Sequence, residues 1–397
     1  MRNKDFWKGF VSALVTAAVI GVGGSFLMER GVIPWNFLPG EALQRNAKTK
    51  QILHYLERDY VDGFDKELAQ EVMYTGLAAG AGDPYTTYLT KESMESQTER
   101  NSGHFVGIGV DVMQNSDGKV EIVNVISGGS AKEAGLQSGD LILAVDGKEM
   151  GEQELSQMVS QIKGEAGTSV VLTIYRKDTE KTWDAEILRK DIQIETVEYE
   201  MLEDGIGYIA LHAFRENTAE QFQNALEELK KQDMKGILLD LRNNAGGLVP
   251  AAYAIGEEIL PEGIMVYTMD KEGRRNDLVC DAAYLNLPMT VLVNGQSASA
   301  SEILAGAIQD TGRGELVGTK TFGKGLIQRL YQLPDGSGLN VTIQKYYTPK
   351  GTSIHGVGLE PDYLVELPEK WKDSIEIPRE EDVQMQKGIS ILQKKIE

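Results

Sequence analysis

The stretch VLVNGQSASASEILAGAIQD, residues 291–310, passes from an apolar β-type segment through a small polar turn into an apolar helix. A strand feeding directly into a helix is the building unit of an α/β domain. Upstream, GILLDL (236–241) is an unbroken apolar run, as expected of a strand covered on both faces. From Gly205 the alternation continues on both sides of these two segments. It predicts strands GYIAL (207–211), IMVYTM (264–269), TVLVN (290–294) and ELVGT (315–319), and a helix from Ala219 to Lys231 opened by a capping box of Asn217 and Glu220. LIQRLYQL and LNVTIQKYY, joined by PDGSG, read as a hairpin. This α/β domain is assigned to residues 193–370.

Working outward, residues 101–192 read as a small β-rich module. FVGIGVDVM and KVEIVNVI flank an NSDG turn; SAKEAGLQSGDLILAVDG (130–147) supplies a short helix, a strand and a DG turn. An amphipathic helix is expected from Glu152 to Lys163, then strands SVVLTIYR and KTWDAEILR. Residues 41–100 are helical up to Ala79, after which GDPYTTYLT interrupts the pattern. Residues 371–397 form an acidic tail ending in a helix that carries Val383, Met385, Ile389, Ile391 and Leu392.

Composition excludes several functions. With 40 basic and 60 acidic side chains the net charge is −20, so nucleic acid is a poor partner. The single cysteine, Cys280, rules out an internal disulfide framework or a multi-cysteine metal site. His54, His104, His212 and His355 are scattered and no HExxH occurs, so neither a metal centre nor another cofactor is expected. At the N-terminus, Arg2, Lys4 and Lys8 precede an uncharged run from Phe10 to Met28, close to the roughly 20 residues that span a bilayer. The basic flank predicts a cytoplasmic N-terminus and a single-pass membrane protein with an extracytoplasmic body. No small-x-small cleavage site is evident; were the segment cleaved, the body would be secreted. Residues 1–40 are assigned to this segment and a proline-containing linker.

Three loops carry candidate chemistry. In DLRNNAGG (240–247) two adjacent glycines let backbone amides point outward, as an oxyanion site requires, although a plain tight turn would look alike. Ser297, Ser299 and Ser301 lie where a strand gives way to a helix; one of them suits a nucleophile, and helix capping is the competing use. In GTKTFGKGLIQ (318–328), Lys324 sits between two glycines ahead of an apolar strand, and a desolvated lysine is a usable base. Gly318 to Lys324 also fits GxxxxGK, but Gly325 stands where a phosphate loop needs Ser or Thr. A Ser–His–Asp triad has no local support.

Taken together, GDPYTTYL, FVGIGV, AGLQSGDLILAVDG, DLRNNAGG, VNGQSASASEILAGA, TFGKGLIQ and HGVGLEPD resemble, in order, the motifs of the carboxyl-terminal processing peptidases, over about residues 42–367. The resemblance implies a multidomain α/β chain, with a PDZ-like module beside a crotonase/ClpP-like serine peptidase domain and helical segments at both ends. It implies Ser299 as nucleophile, Lys324 as general base and Gln328 as the residue that orients the lysine. The oxyanion hole falls on the amides of Ala300 and of Gly246 or Gly247. It further implies capture of a substrate's free C-terminus by the PDZ residues Phe105, Val106, Gly107, Ile108 and Gly109, with Ile108 and Val110 suggesting small or apolar terminal side chains. A PDZ gate over the active site and a homodimer through the terminal helices are implied too. Ala245 and Ser130 depart from the family pattern, each standing where proline is usual. Two rival readings are an inactive PDZ scaffold, which should have lost Ser299 or Lys324, and a crotonase-like acyl-CoA enzyme, which leaves the carboxylate-capturing module unexplained.

Overall fold

The computed structural model of the chain describes residues 41–397 apart from 116, 127, 150–154, 282, 283, 373, 375 and 376. The described residues divide into two compact units, one ending at Tyr88 and the other spanning Leu89–Glu397. In the first, the expected helical pattern forms two helices, Glu41–Asp59 and Lys66–Ala79. The second of these is opened by Asp65, whose side chain accepts from the Leu68 amide at 3.0 Å.

The single-pass membrane placement must be corrected. No helix among the described residues is long and apolar enough to cross a membrane. The first helix, for example, carries Arg45, Lys48, Lys50, Glu57 and Arg58, and each charge costs about 3 kcal/mol at a bilayer centre. Residues 10–28, from which the placement was inferred, lie outside the described residues, as does the start of the helix expected from Glu152.

In the second unit the β-rich module forms a sheet in the order 110–114, 120–125, 141–145, 169–176 and 181–188, with the short strand Lys148–Glu149 also paired to 141–145. Its core gathers Ile122, Ile142, Met158, Leu172 and Ile174, all within 1% of full burial. FVGIGVDVM is two strands rather than one: His104–Gly107 pairs with Lys190–Gln193, and Val110–Gln114 starts the main sheet as an edge strand. The break falls at Gly109, whose φ of +84° turns the chain.

Further along, six strands make a mixed sheet in the order 197–201, 206–211, 236–240, 289–293, 315–318 and 363–364. The first pair is antiparallel and the rest are parallel, with Ile209 beside Leu239 and Leu239 beside Val291. The unbroken apolar run resolves into two faces. Ile237, Leu239 and Val291 point into the main core, while Leu238 and Leu292 face the opposite side. That opposite side is covered by the helix Val383–Ile396 through Met385, Ile391 and Leu392. The acidic tail thus ends as a structural layer of the sheet. Antiparallel strands 263–270, 275–280, 326–332 and 338–347 complete the domain, and helix Ala300–Asp310 is buried from Ala300 to Ile308.

The predicted capping box at Asn217 does not form. Its side-chain amide donates instead to the carbonyls of Gly103 (2.9 Å) and Ile194 (3.1 Å). Helix Lys91–Ser102 escaped notice because it is polar nearly all round, and Val249–Ile259 because its alanines and glycine give a faint apolar stripe.

Candidate active site

Three loops meet at the C-terminal ends of the central parallel strands, where α/β sheets place their ligands. The strand Met289–Val293 turns into helix Ala300–Asp310 at Ser299, whose φ of 56° and ψ of −116° fall outside every well an L-residue prefers. Such a conformation costs about 1–3 kcal/mol and persists only where its surroundings enforce it. It has the character of the sharp strand-to-helix turn that lifts a nucleophilic serine out of a sheet.

The alternating serines differ in what binds them. The Ser297 hydroxyl is fully buried; it donates to the Leu241 carbonyl at 2.8 Å and accepts from the Asn294 amide at 2.9 Å. Ser301, also fully buried, donates to the Asn244 carbonyl at 2.8 Å. Both fasten the DLRNNAGG loop to the turn. Ser299 retains 9% exposure.

In that loop, buried Asn244 donates to the Leu211 carbonyl at 2.7 Å, and its side-chain oxygen accepts the Gly246 amide at 2.9 Å. The Gly246 N–H is thereby engaged inside the loop. The bonds from Phe214 N to Gly246 O (3.1 Å) and from Leu248 N to Phe214 O (2.7 Å) flank Gly247 without using its amide. Neither glycine is replaceable. A Cβ on Gly246 would lie 2.8 Å from Ser299 Cβ and 2.9 Å from the Ala300 nitrogen, and one on Gly247 would lie 2.1 Å from the Phe214 carbonyl oxygen. The loop therefore lies directly against the Ser299 turn.

The lysine loop is tied to the same turn by Glu302, in the first turn of the helix that Ser299 opens. Fully buried, its carboxylate accepts four hydrogen bonds: Ser299 N at 3.0 Å, Lys324 N at 2.8 Å, Gly323 N at 2.8 Å and Thr321 Oγ1 at 2.6 Å. Ser299 N and Lys324 N share a single oxygen atom. Tyr346, 1% exposed, adds a second bridge, its hydroxyl lying between the carbonyls of Ser299 (3.0 Å) and Lys324. The HGVGLEPD segment braces the loop from its other side, through Gly356 N to Gly323 O (2.9 Å) and Leu359 N to Thr321 Oγ1 (2.7 Å). The signal for Glu302 was its spacing after the strained serine.

Lys324 is partly buried. Gln328 donates to Thr342 Oγ1 at 3.2 Å and lines a cavity of about 570 Å³ with Val249, Pro250, Tyr253, Leu278 and Ile327. Cys280 is fully buried, and burial pushes its thiol up to about 12, which removes it as a rival nucleophile. His212 and His355 are exposed. In the β-rich module, Phe105 and Val106 are partly buried, and Gly107 and Gly109 are buried. Ile108, 2% exposed, belongs to the module's own core rather than to an open pocket.

A β-rich module beside an α/β domain with a serine at a strained turn fits the class of serine peptidases that the motifs resemble. Comparison with known proteins gives the family. Residues 205–365 match peptidase family S41 and residues 106–187 match the PDZ domain. A carboxy-terminal-processing protease of Bartonella bacilliformis is 38% identical over 337 residues, covering 82% of this chain and 76% of that one. A carboxyl-terminal-processing protease of a Synechocystis species is 37% identical over 332 residues, 81% of this chain and 77% of that one. The solved structure of a putative S41 protease from Bacteroides fragilis shares the fold, with a TM-score of 0.52 at 17% identity over 86% of this chain and 94% of that one. The chain belongs to the carboxyl-terminal processing proteases of peptidase family S41, and it is a serine-type hydrolase.

Proposed function

We propose that the chain cleaves proteins near a free C-terminus by Ser–Lys chemistry. The neutral amine of Lys324 takes the proton from Ser299 Oγ as that oxygen attacks the peptide carbonyl. The amides of Ala300 and Gly247 receive the developing oxyanion, since the Gly246 amide already serves Asn244. Lys324 then delivers its proton to the leaving amine, and water hydrolyses the acyl-enzyme. Gln328 orients the lysine from the adjoining strand, and the apolar cavity beside it takes a substrate side chain. The observation that carries this reading is the Glu302 carboxylate, which binds the backbone of Ser299 and of Lys324 through one oxygen.

The substrate tail is captured by the PDZ module. Strand Val110–Gln114 is at the edge of its sheet, so an extended peptide can add there, with its terminal carboxylate at the Phe105–Gly109 turn. The test is cleavage of a peptide with an apolar free C-terminus. Ser299→Ala and Lys324→Ala should each abolish it while circular dichroism stays native, and amidating the peptide should slow the unmodified enzyme. Full cleavage by the Ser299→Ala protein would refute the nucleophile.

The C-terminal helix is already spent on the sheet, so pairing of two copies falls to the N-terminal helices, where Leu68, Val72 and Leu77 are 60–72% exposed. Changing these three to serine should convert a dimer to a monomer in sedimentation. An unmodified chain that sediments as a monomer at high concentration would dispose of the idea.

A further inference from the structure

A cavity of about 560 Å³ opens between helix Lys91–Ser102, the PDZ strands and the segment after strand Ile206–Leu211. Val110, Val125, Ile126 and Ile194 give it apolar walls, and two guanidinium groups, Arg100 and Arg215, line it. Neither arginine forms an ion pair among the described residues. Arg100 bonds only neutral oxygens, Ser96 Oγ at 3.1 Å and Gln97 Oε1 at 3.3 Å. Arg215 Nη1 is buried with no hydrogen-bond partner among the described residues. The acidic residues on the wall are turned to other uses or to water: Glu99 holds Lys163 at 2.5 Å, Asp111 accepts from Asn124 at 3.0 Å, and Glu195 is exposed.

Two like charges facing one space, one of them incompletely bonded, is an arrangement that folding alone disfavours. Burial and the Arg100 charge both push the Arg215 guanidinium below its usual range, so its charged form is held at a cost that an anion would remove. A guanidinium fork matches the planar carboxylate best. The cavity adjoins the edge where a strand-adding tail would lie, sharing Phe105, Val110 and Asp111 with it, but no residue of the PDZ helix Leu155–Ile162 lines it and both arginines lie outside the β-rich module, so the two carboxylate sites are neighbours rather than one.

We propose that Arg100 and Arg215 form a second recognition site on this chain, one that binds a carboxylate of an acidic peptide. Two sources supply that group, a Glu or Asp side chain and a free terminus, and one experiment separates them. The full chain carrying Ser299→Ala is titrated by fluorescence anisotropy with short alanine–valine peptides in which Glu or Gln occupies each position in turn, with free or amidated ends. At one position at least, Glu should bind about tenfold or more tightly than Gln, and Arg215→Met or Arg100→Gln should erase that preference. Thermal denaturation should show Arg215→Met folded and no less stable than its parent. If amidation alone carries the arginine-dependent effect, the source is the terminus. An amidation effect that survives both arginine changes belongs to the PDZ turn. Glu and Gln peptides bound equally, together with an amidation effect unchanged in folded Arg215→Met and Arg100→Gln proteins, would overturn the proposal. Loss of amidation sensitivity with the Glu preference intact would instead count against PDZ capture alone.

Discussion

The loops around Ser299 and the peptide-binding edge of the PDZ module treat their polar groups in opposite ways. Around Ser299 the buried polar side chains are closed off by partners: Ser297 and Ser301 by carbonyls, Asn244 by a carbonyl and an amide, Glu302 by four donors. The PDZ module keeps hydrogen-bonding capacity in reserve. Its strand Val110–Gln114 is unpaired along one side, and the buried Ser130 hydroxyl has no partner among the described residues. A site that must hold strained backbone needs a cage, because each backbone outlier costs energy that its neighbours offset. A surface that receives peptide needs unsatisfied edges instead.

The contrast makes the core brittle and the module tolerant. The largest effect expected is on chemistry: Ser299→Ala should lower kcat by about 10⁴-fold or more, read in single-turnover assays. Glu302→Gln tests the cage itself. Its amide nitrogen would face N–H or O–H donors, so the loops should separate, and kcat should fall by about 100-fold with a native circular dichroism spectrum. An active Glu302→Gln enzyme would mean that Ser299 and Lys324 are aligned by other contacts.

Arg242 extends the cage to the end of the chain. It bonds Asp240 at 2.6 Å, and Asp382 and Gln384 at 2.9 and 3.1 Å, while Tyr208 donates to Asp240 at 3.0 Å. Burial alone would lower the Arg242 guanidinium, yet the Asp240 and Asp382 carboxylates hold it well above its ordinary range. Because that guanidinium stays charged throughout the working range, the tie should not weaken on raising the pH. Arg242→Ala leaves two buried carboxylates unpaired and should cost about 3–5 kcal/mol in chemical denaturation. Protection of the Val383–Ile396 amides from hydrogen exchange should fall with it; unchanged protection would detach the helix from this network.

In the PDZ module the smallest change should go the other way. Ser130 follows Gly129 at φ −77° and ψ 148° and occupies the first helical position, a setting that accepts proline. Ser130→Pro removes an unpartnered hydroxyl and stiffens the unfolded chain, so it should stabilise by about 0.4–1 kcal/mol in a thermal melt. A lower melting temperature would show that the serine is bonded in solution.

Much of this was legible locally. Strand and helix periods, the DG turn at Asp146–Gly147 and the three loops each depend on residues a few positions apart, and most of those elements occur where the pattern put them, although FVGIGVDVM divides at Gly109. The edges of that legibility are instructive. Asn217 looked like a cap and instead reaches Gly103, because a side chain bonds whatever carbonyl the fold brings near. Membrane placement rested on an uncharged run and its basic flank, and the described helices do not supply a span.

By itself, then, the sequence determined the family and most of the elements, helices Lys91–Ser102 and Val249–Ile259 excepted, since propensity and motif are written in neighbouring residues. Only the tertiary structure decided that Glu302 gathers two loops, that the Gly246 amide is already engaged, that the last helix covers the sheet, and that Arg100 meets Arg215 across one cavity. Each of these joins groups far apart in the chain, and their meeting depends on closing loops around a packed core, which no local period encodes.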